Sequence, residues 1–400
     1  MAPQIPRIIS VDDHVIEPPN VWQDRLPEKF KAVGPRIERR KVKNMKFVGG
    51  VFSYDRAADD EDGLWCDWWL VEDLQYPLTR LSAAAGYPRD EITVSPITMD
   101  DMRKGCWEQK ARLEDMDVNH VEASLAFPSF PRFCGQTFTE RKDKELGDLC
   151  VKAYNDWMIQ EWCAPSGGLN IPLCLIPLWD VELAVQEVQR VAAQGCRAIC
   201  FSELPHHLQL PTIHSGGWDP LLATCNDTGV TLCMHIGSSS TNPAASPDAP
   251  GGVGGTLAFN NSMASLADWL FSAKLIQFPK LKLAYSEGQI GWIPYALERA
   301  DTVWDQHDSW QHSKARIPEP PSTYYYGRVF GCFTADYHGL HSLDAVGEDN
   351  ICFETDYPHT DTTWPTSKEY AEKMLADFDE KIAYKVLRGN AIKMLELDRV

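Results

Sequence analysis

The sequence has no Cys-x-x-Cys pair among its twelve cysteines, no run of eighteen apolar residues, no Gly-x-Gly-x-x-Gly behind a strand-like stretch and no basic block. Each absence removes a class. Scattered cysteines, several inside apolar runs (Cys196, Cys200, Cys233, Cys352), argue against a disulfide framework and read as buried reduced thiols. The short apolar runs are too brief to span a bilayer, and Met1 to Pro6 lack the basic and apolar regions of a secretory leader. A cytoplasmic protein without a membrane partner is expected. With 38 Lys+Arg against 57 Asp+Glu, the net charge of −19 repels a phosphate backbone, so nucleic acid is not expected as a partner. The missing glycine fingerprint leaves no support for an open dinucleotide-binding sheet.

What is present is enough apolar material for a large core, 44% of the residues with 24% charged. Eight strand-like runs follow one another: Ile8 to Val11, Val121 to Phe127, Leu173 to Pro177, Ala198 to Phe201, Val230 to His235, Leu281 to Tyr285, a weaker one at Val329 to Phe333, and Ile351 to Glu354. Most precede a helix-like segment, and Asp180 to Val191 has the acidic start and apolar spacing of a crossover helix. Alternation of this kind predicts an α/β fold, a parallel (β/α)8 barrel formed by residues 1–400 as one domain. Residues 24–104, charged and rich in tryptophan with a loop-like Gly49-Gly50, read as a long insertion after the first strand. It would serve as a lid or pocket wall, or as a packed structural subdomain. A Ser/Gly/Pro-rich stretch from Gly237 to Gly255 reads as a mobile loop.

Two distant fragments carry the chemistry, Asp12-Asp13-His14-Val15-Ile16-Glu17 and Glu354-Thr355-Asp356-Tyr357-Pro358-His359, each placed where a strand leaves the sheet. Strand side chains alternate faces, so Asp12 and His14 share a side with Asp13 opposite. Adding Glu203, His235 and Glu287 from other strand ends gives a set rich in carboxylates with two or three imidazoles, suited to Mn, Fe or Zn. Blander readings stay open. Glu17, ahead of Pro18-Pro19, caps a turn or ligates; Glu287 is a ligand, a base or half of a salt bridge; His359 ligates or supports a ligand; Glu203 lies in what reads as a surface turn. His206 reads as a rim residue within reach of substrate, and Arg132 as a fork for a substrate carboxylate or a structural ion pair.

The fragments Ser10 to Pro18, His235-Ile236-Gly237, Glu287 to Tyr295 and Thr355 to His359, with the ending Arg388-Gly389-Asn390-Ala391, resemble the amidohydrolase-related (amidohydrolase 2) family. The resemblance runs through nearly the whole chain in the same order. It implies a barrel whose metal is held by Asp12, His14, His235 and Asp356, and a hydrolase or non-oxidative decarboxylase of small carboxylates. The chain departs from that pattern: Ile16 stands two residues after His14, the sixth strand ends without a His, and the fourth strand lacks a Lys. Carboxylates, Glu17 and Glu287, stand there instead. In this the chain resembles an O2-activating dinuclear non-heme branch of the superfamily that includes the paired homologous chains of 2-aminoisobutyrate hydroxylase.

The expectation drawn from that branch is an oxygenase with two ions, Fe with Fe or Mn, held by Asp12, His14, Glu17, His235, Glu287 and Asp356. Glu287, Asp356 and His359 would act in catalysis, and Arg132 and His206 would meet a small carboxylic or amino acid. O2 would be the second substrate, and a homologous chain an oligomeric partner. The alternative is a one-metal Zn or Mn hydrolase or decarboxylase using metal-lowered water and Asp356. A third reading is a non-catalytic subunit that assists a homologous enzyme.

Overall fold

Parallel strands and amphipathic helices alternate along the chain in a computed structural model that describes residues 3–48 and 51–398. The first group is β1 (Ile8–Val15), β6 (Val121–Pro128) and β7 (Asn170–Ile171), in that order, with His14 level with Phe127. The second is β8 (Leu173–Cys174), β9 (Ala198–Phe201), β10 (Thr231–His235), β11 (Leu283–Ser286), β12 (Val329–Phe333) and β13 (Ile351–Phe353), each parallel to its neighbour. Strands β9 to β13 are buried throughout, as strands with helices on their outer face must be. The weak seventh run is a full strand. The third expected run, Leu173 to Pro177, is a strand only at Leu173–Cys174, and a further short strand, Asn170–Ile171, precedes it across Pro172, which has no N–H to give to a ladder.

The crossover helix occupies Val181–Ala192, and Asp180 caps it by accepting from the Glu182 and Leu183 amides at 3.0 and 3.1 Å. Beyond β13 the chain runs beside β1. Asp356 N donates to Asp12 O at 3.0 Å and His14 N to Tyr357 O at 2.6 Å. Asp13, on the face opposite Asp12 and His14, ties the same two segments together. Its carboxylate accepts from Ser10 Oγ (3.0 Å), Thr355 Oγ1 (2.7 Å), Tyr357 N (3.0 Å) and Ser124 Oγ.

Between β1 and β6 lies a separate antiparallel sheet, β2 (Arg36–Val48), β3 (Val51–Arg56), β4 (Leu64–Val71) and β5 (Leu74–Pro77), ordered β3-β2-β4-β5. The alternation of β4 sends Trp69 into the main core, where it meets Trp22 edge-on at 5.0 Å and stacks on Phe130 at 4.7 Å. Trp68 faces the other way, into a small cluster with Val42, Cys66 and Leu70. Gly49 and Gly50, read as a loop, lie outside the described residues. The Gly237 to Gly255 stretch is not wholly a loop: Pro250 precedes a helix at Gly251–Leu257. All twelve cysteines are buried free thiols.

Candidate metal centre

The C-terminal ends of β1, β10, β11 and β13 deliver Asp12, His14, His235, Glu287, Asp356 and His359 to one place. Two overlapping sets, Asp12-His14-His235-Glu287 and His14-Glu287-Asp356-His359, each offer one ligand atom per residue with all atoms within 4.8 Å. His14 Nε2 is 3.3 Å from Asp356 Oδ1 and 3.6 Å from Asp12 Oδ1, and His235 Nε2 is 3.4 Å from Asp12 Oδ2 and 3.5 Å from Glu287 Oε1. Both Asp12 oxygens, both His14 ring nitrogens, His235 Nε2 and Asp356 Oδ1 are buried without a hydrogen-bond partner. Orphaned polar atoms are costly, and so many converging on one point have the donor chemistry of a divalent cation site. The other nitrogen of His235 is oriented by the Ile236 carbonyl at 2.6 Å.

Two of these residues hold strained backbone. Glu287 and Asp356 sit at φ of 52° and 50°, a region side-chain-bearing residues seldom adopt. The electrostatics are equally unfavourable without a positive charge. Burial, then repulsion from Glu354 and Glu287, pushes the Asp12 carboxyl well up. Burial and Glu287 do the same to Asp356. Burial, with His359 and His235 nearby, pushes His14 well down. For Glu287, burial is outweighed chiefly by His235, which holds the carboxyl down to about 2. A cation would relieve the repulsion among these carboxylates.

The remaining expected residues fall in different places. Glu17 is fully buried, yet it stands outside both ligand sets: its oxygens accept the Ser129 and Phe130 amides, each at 2.9 Å. Through these two amides it fixes the turn after β6. Arg132 is spent in part on Glu140 (2.9 Å) and Ser240 Oγ (2.6 Å), so it is not a free fork. His206 is exposed, packs edge-on against His207 at 4.3 Å and belongs to neither ligand set. Glu203 is not in a surface turn. It is buried and accepts from Ser239 Oγ (3.1 Å), Gly237 N (3.2 Å), Asn261 Nδ2 and Ser262 Oγ (both 3.3 Å), and burial pushes it up to about 7.

Two residues that sequence reasoning passed over belong beside the cluster. Glu354 is buried and accepts the Glu287 amide at 3.1 Å, and its carboxyl is pushed well up by burial and by Glu287. It directly follows β13, two residues before Asp356. Phe133 lies parallel to His235 at a centroid distance of 4.0 Å. No local pattern marked it, since its place depends on a β6 loop meeting β10.

The cluster opens through His359, 17% exposed, whose ring stacks on His14 at 3.4 Å and whose Nδ1 is 3.6 Å from Asp356 Oδ1. His359, Phe133 and Gly237 line a cavity of about 470 Å³. Cavities of about 540 Å³ near Leu113 and Arg388, and about 530 Å³ near Trp364 and Tyr370, hold none of the six cluster residues.

Comparison with known proteins gives this geometry relatives. The family model described as amidohydrolase matches residues 64–397. A solved amidohydrolase from Mycobacterium avium subsp. paratuberculosis K-10 is similar over 98% of this chain and 99% of its own, with TM-score 0.72 and 20% identity. A dihydroxybenzoic acid decarboxylase from Polaromonas sp. JS666, solved with manganese and the inhibitor 2-nitroresorcinol, is similar over 99% of this chain and 98% of its own (TM-score 0.62, 14% identity). A 5-carboxyvanillate decarboxylase from Novosphingobium aromaticivorans DSM 12444, solved with manganese and 4-hydroxy-3-methoxy-5-nitrobenzoic acid, matches over 74% of this chain and 82% of its own (TM-score 0.58, 17% identity). At these identities the likeness is one of fold.

Proposed function

This chain belongs to the amidohydrolase family, and from that premise we propose that it is a manganese- or zinc-dependent enzyme removing CO2 from a small aromatic carboxylate without O2. The observation that carries the reading is the set of orphaned buried atoms on Asp12, His14, His235 and Asp356, converging beside a cavity that His359 faces. Manganese in the Polaromonas and Novosphingobium decarboxylases supports the choice of metal. The parallel groups would close into one eight-stranded barrel, a reading supported by the hydrogen bonds between β1 and the chain after β13.

A divalent cation held by Asp12, His14, His235 and Asp356, with Glu287 in reach, would supply a Lewis-acid charge that orients the substrate's carboxylate and stabilises the anion formed as CO2 leaves. The residues do the rest. Cleavage of the carbon–carboxylate bond leaves its electron pair on the ring carbon, which must take a proton. His359 is the candidate donor, because it lines the cavity and is exposed enough for solvent to return the proton, while Asp356 beside it orients the ring. An imidazole is missing from the end of the sixth strand, and His359 from the eighth provides one. Phe133, Gly237 and the aromatic roof described below limit water at the ring. Hydrolysis remains the competing outcome of the same donor set.

The oxygenase reading loses the support it drew from Glu17, whose two oxygens are taken by amides. Metal analysis of chelator-free protein, followed by CO2 release from hydroxylated benzoates under strict anoxia, tests the proposal. About one Mn or Zn per chain with O2-independent CO2 release is the expected result. Two irons per chain with O2 uptake would refute it.

A further inference from the structure

The cavity above the cluster is built for more than one ring. Its floor is His359, Phe133 and Gly237, but its far wall belongs to the antiparallel sheet, which presents Phe47, Phe52, Tyr54 and Tyr76. Phe52 packs against Phe47 at 4.6 Å and edge-on to Tyr76 at 5.8 Å, a continuous aromatic surface. Phe47 is 41% exposed and Phe52 and Tyr54 are half-buried. Aromatic rings grouped at a cavity wall, short of full burial, have apolar area left to cover. At about 470 Å³ the cavity lies within the range of roughly 300–1,000 Å³ that encloses drug-sized ligands. The edge between floor and roof carries a neutralised pair, Arg132 with Glu140 at 2.9 Å, bridged to Ser240 Oγ. A second free carboxylate would have to displace Glu140 there. An uncharged tail meets no such competitor.

Resting on the carboxylate reading above, we infer that the substrate is an extended aromatic acid: a carboxylate-bearing ring at His359 and the cluster, joined to a second, uncharged ring or comparable apolar group that lies on the Phe47-Phe52-Tyr76 roof. The antiparallel sheet is then the specificity-determining element of the site, and Phe52, at its centre, the residue that reads the tail.

Calorimetric titration of the manganese-loaded full chain with benzoate and with biphenyl-3-carboxylate tests this. Burial of a second ring on aromatic walls predicts that the biphenyl acid binds about tenfold more tightly or better, and that removing manganese weakens both. In Phe52→Ala the ratio of the two affinities falls at least about fivefold. Equal affinities in the unmodified protein, with manganese dependence intact, overturn the inference and leave the carboxylate reading standing. Binding of benzoate alone likewise overturns only the inference, whereas failure of both acids to bind overturns both readings. The unmodified protein decides the question alone should Phe52→Ala not fold.

Discussion

At the residue scale, the proposed function divides the six-residue cluster into groups that would hold a cation and one that would meet substrate. Asp12, His14, His235 and Asp356 are at most 1% exposed, whereas His359 is 17% exposed and lines the cavity. Replacing His359 with Ala is therefore expected to lower turnover by about 10²–10⁴ while manganese per chain stays at the unmodified level, measured by CO2 release and elemental analysis on one sample. Loss of metal together with turnover would make His359 a ligand instead. Glu17 makes a separate prediction. Burial, opposed by the Phe130 and Ser129 amides, raises its carboxyl from 4.5 to about 7. The folded protein thus holds this proton more tightly than the unfolded chain, so the contribution is complete below pH 4.5 and is lost as pH rises through about 7. The shift corresponds to roughly 3 kcal/mol at most. Relative to Glu17→Gln, the unmodified protein should lose melting temperature between pH 5 and 7.5, and parallel melting curves across that window would contradict the assignment.

At the scale of elements, the geometry of the cluster depends on how the segment after β13 meets β1. Asp13 makes that joint by accepting from Ser10, Ser124, Thr355 and Tyr357, while its neighbours Asp12 and His14 point to the other face. Asp13→Ala leaves those donors buried and unpaired, which is expected to cost about 3 kcal/mol or more, seen as a lower denaturant midpoint. Manganese affinity should fall as well, since Asp12 and His14 ride on the same backbone. Unchanged affinity would mean that β1 keeps its place without the joint. Element positions were largely legible in the sequence: the apolar run at 198–201 and the crossover helix after Asp180 fall where their patterns predict. The antiparallel sheet was not legible, because its strands pair with each other rather than with the parallel set. Their pattern reports a half-solvated surface, not a partner.

At the scale of the whole molecule, buried carboxylates repelling one another in the metal-free chain mean that a bound cation stabilises the fold as well as the chemistry. At a manganese concentration about 1,000 times Kd the gain is about 4 kcal/mol. Chelation should lower the melting temperature correspondingly, and the shift should vanish in Asp12→Ala; a shift that survives that substitution would place the stabilising ion elsewhere. The sequence by itself determined the alternating α/β order and, through the two-residue period of strands, the pairing of Asp12 with His14 on one face. Those features depend on neighbours along the chain. Only the tertiary structure decided that Glu17 binds amides 112 and 113 residues away, that Glu203 is buried, and that His359 rather than a sixth-strand residue brings the cluster's third imidazole to the cavity. Which donor a carboxylate meets depends on where distant backbone lies, and no local period encodes that.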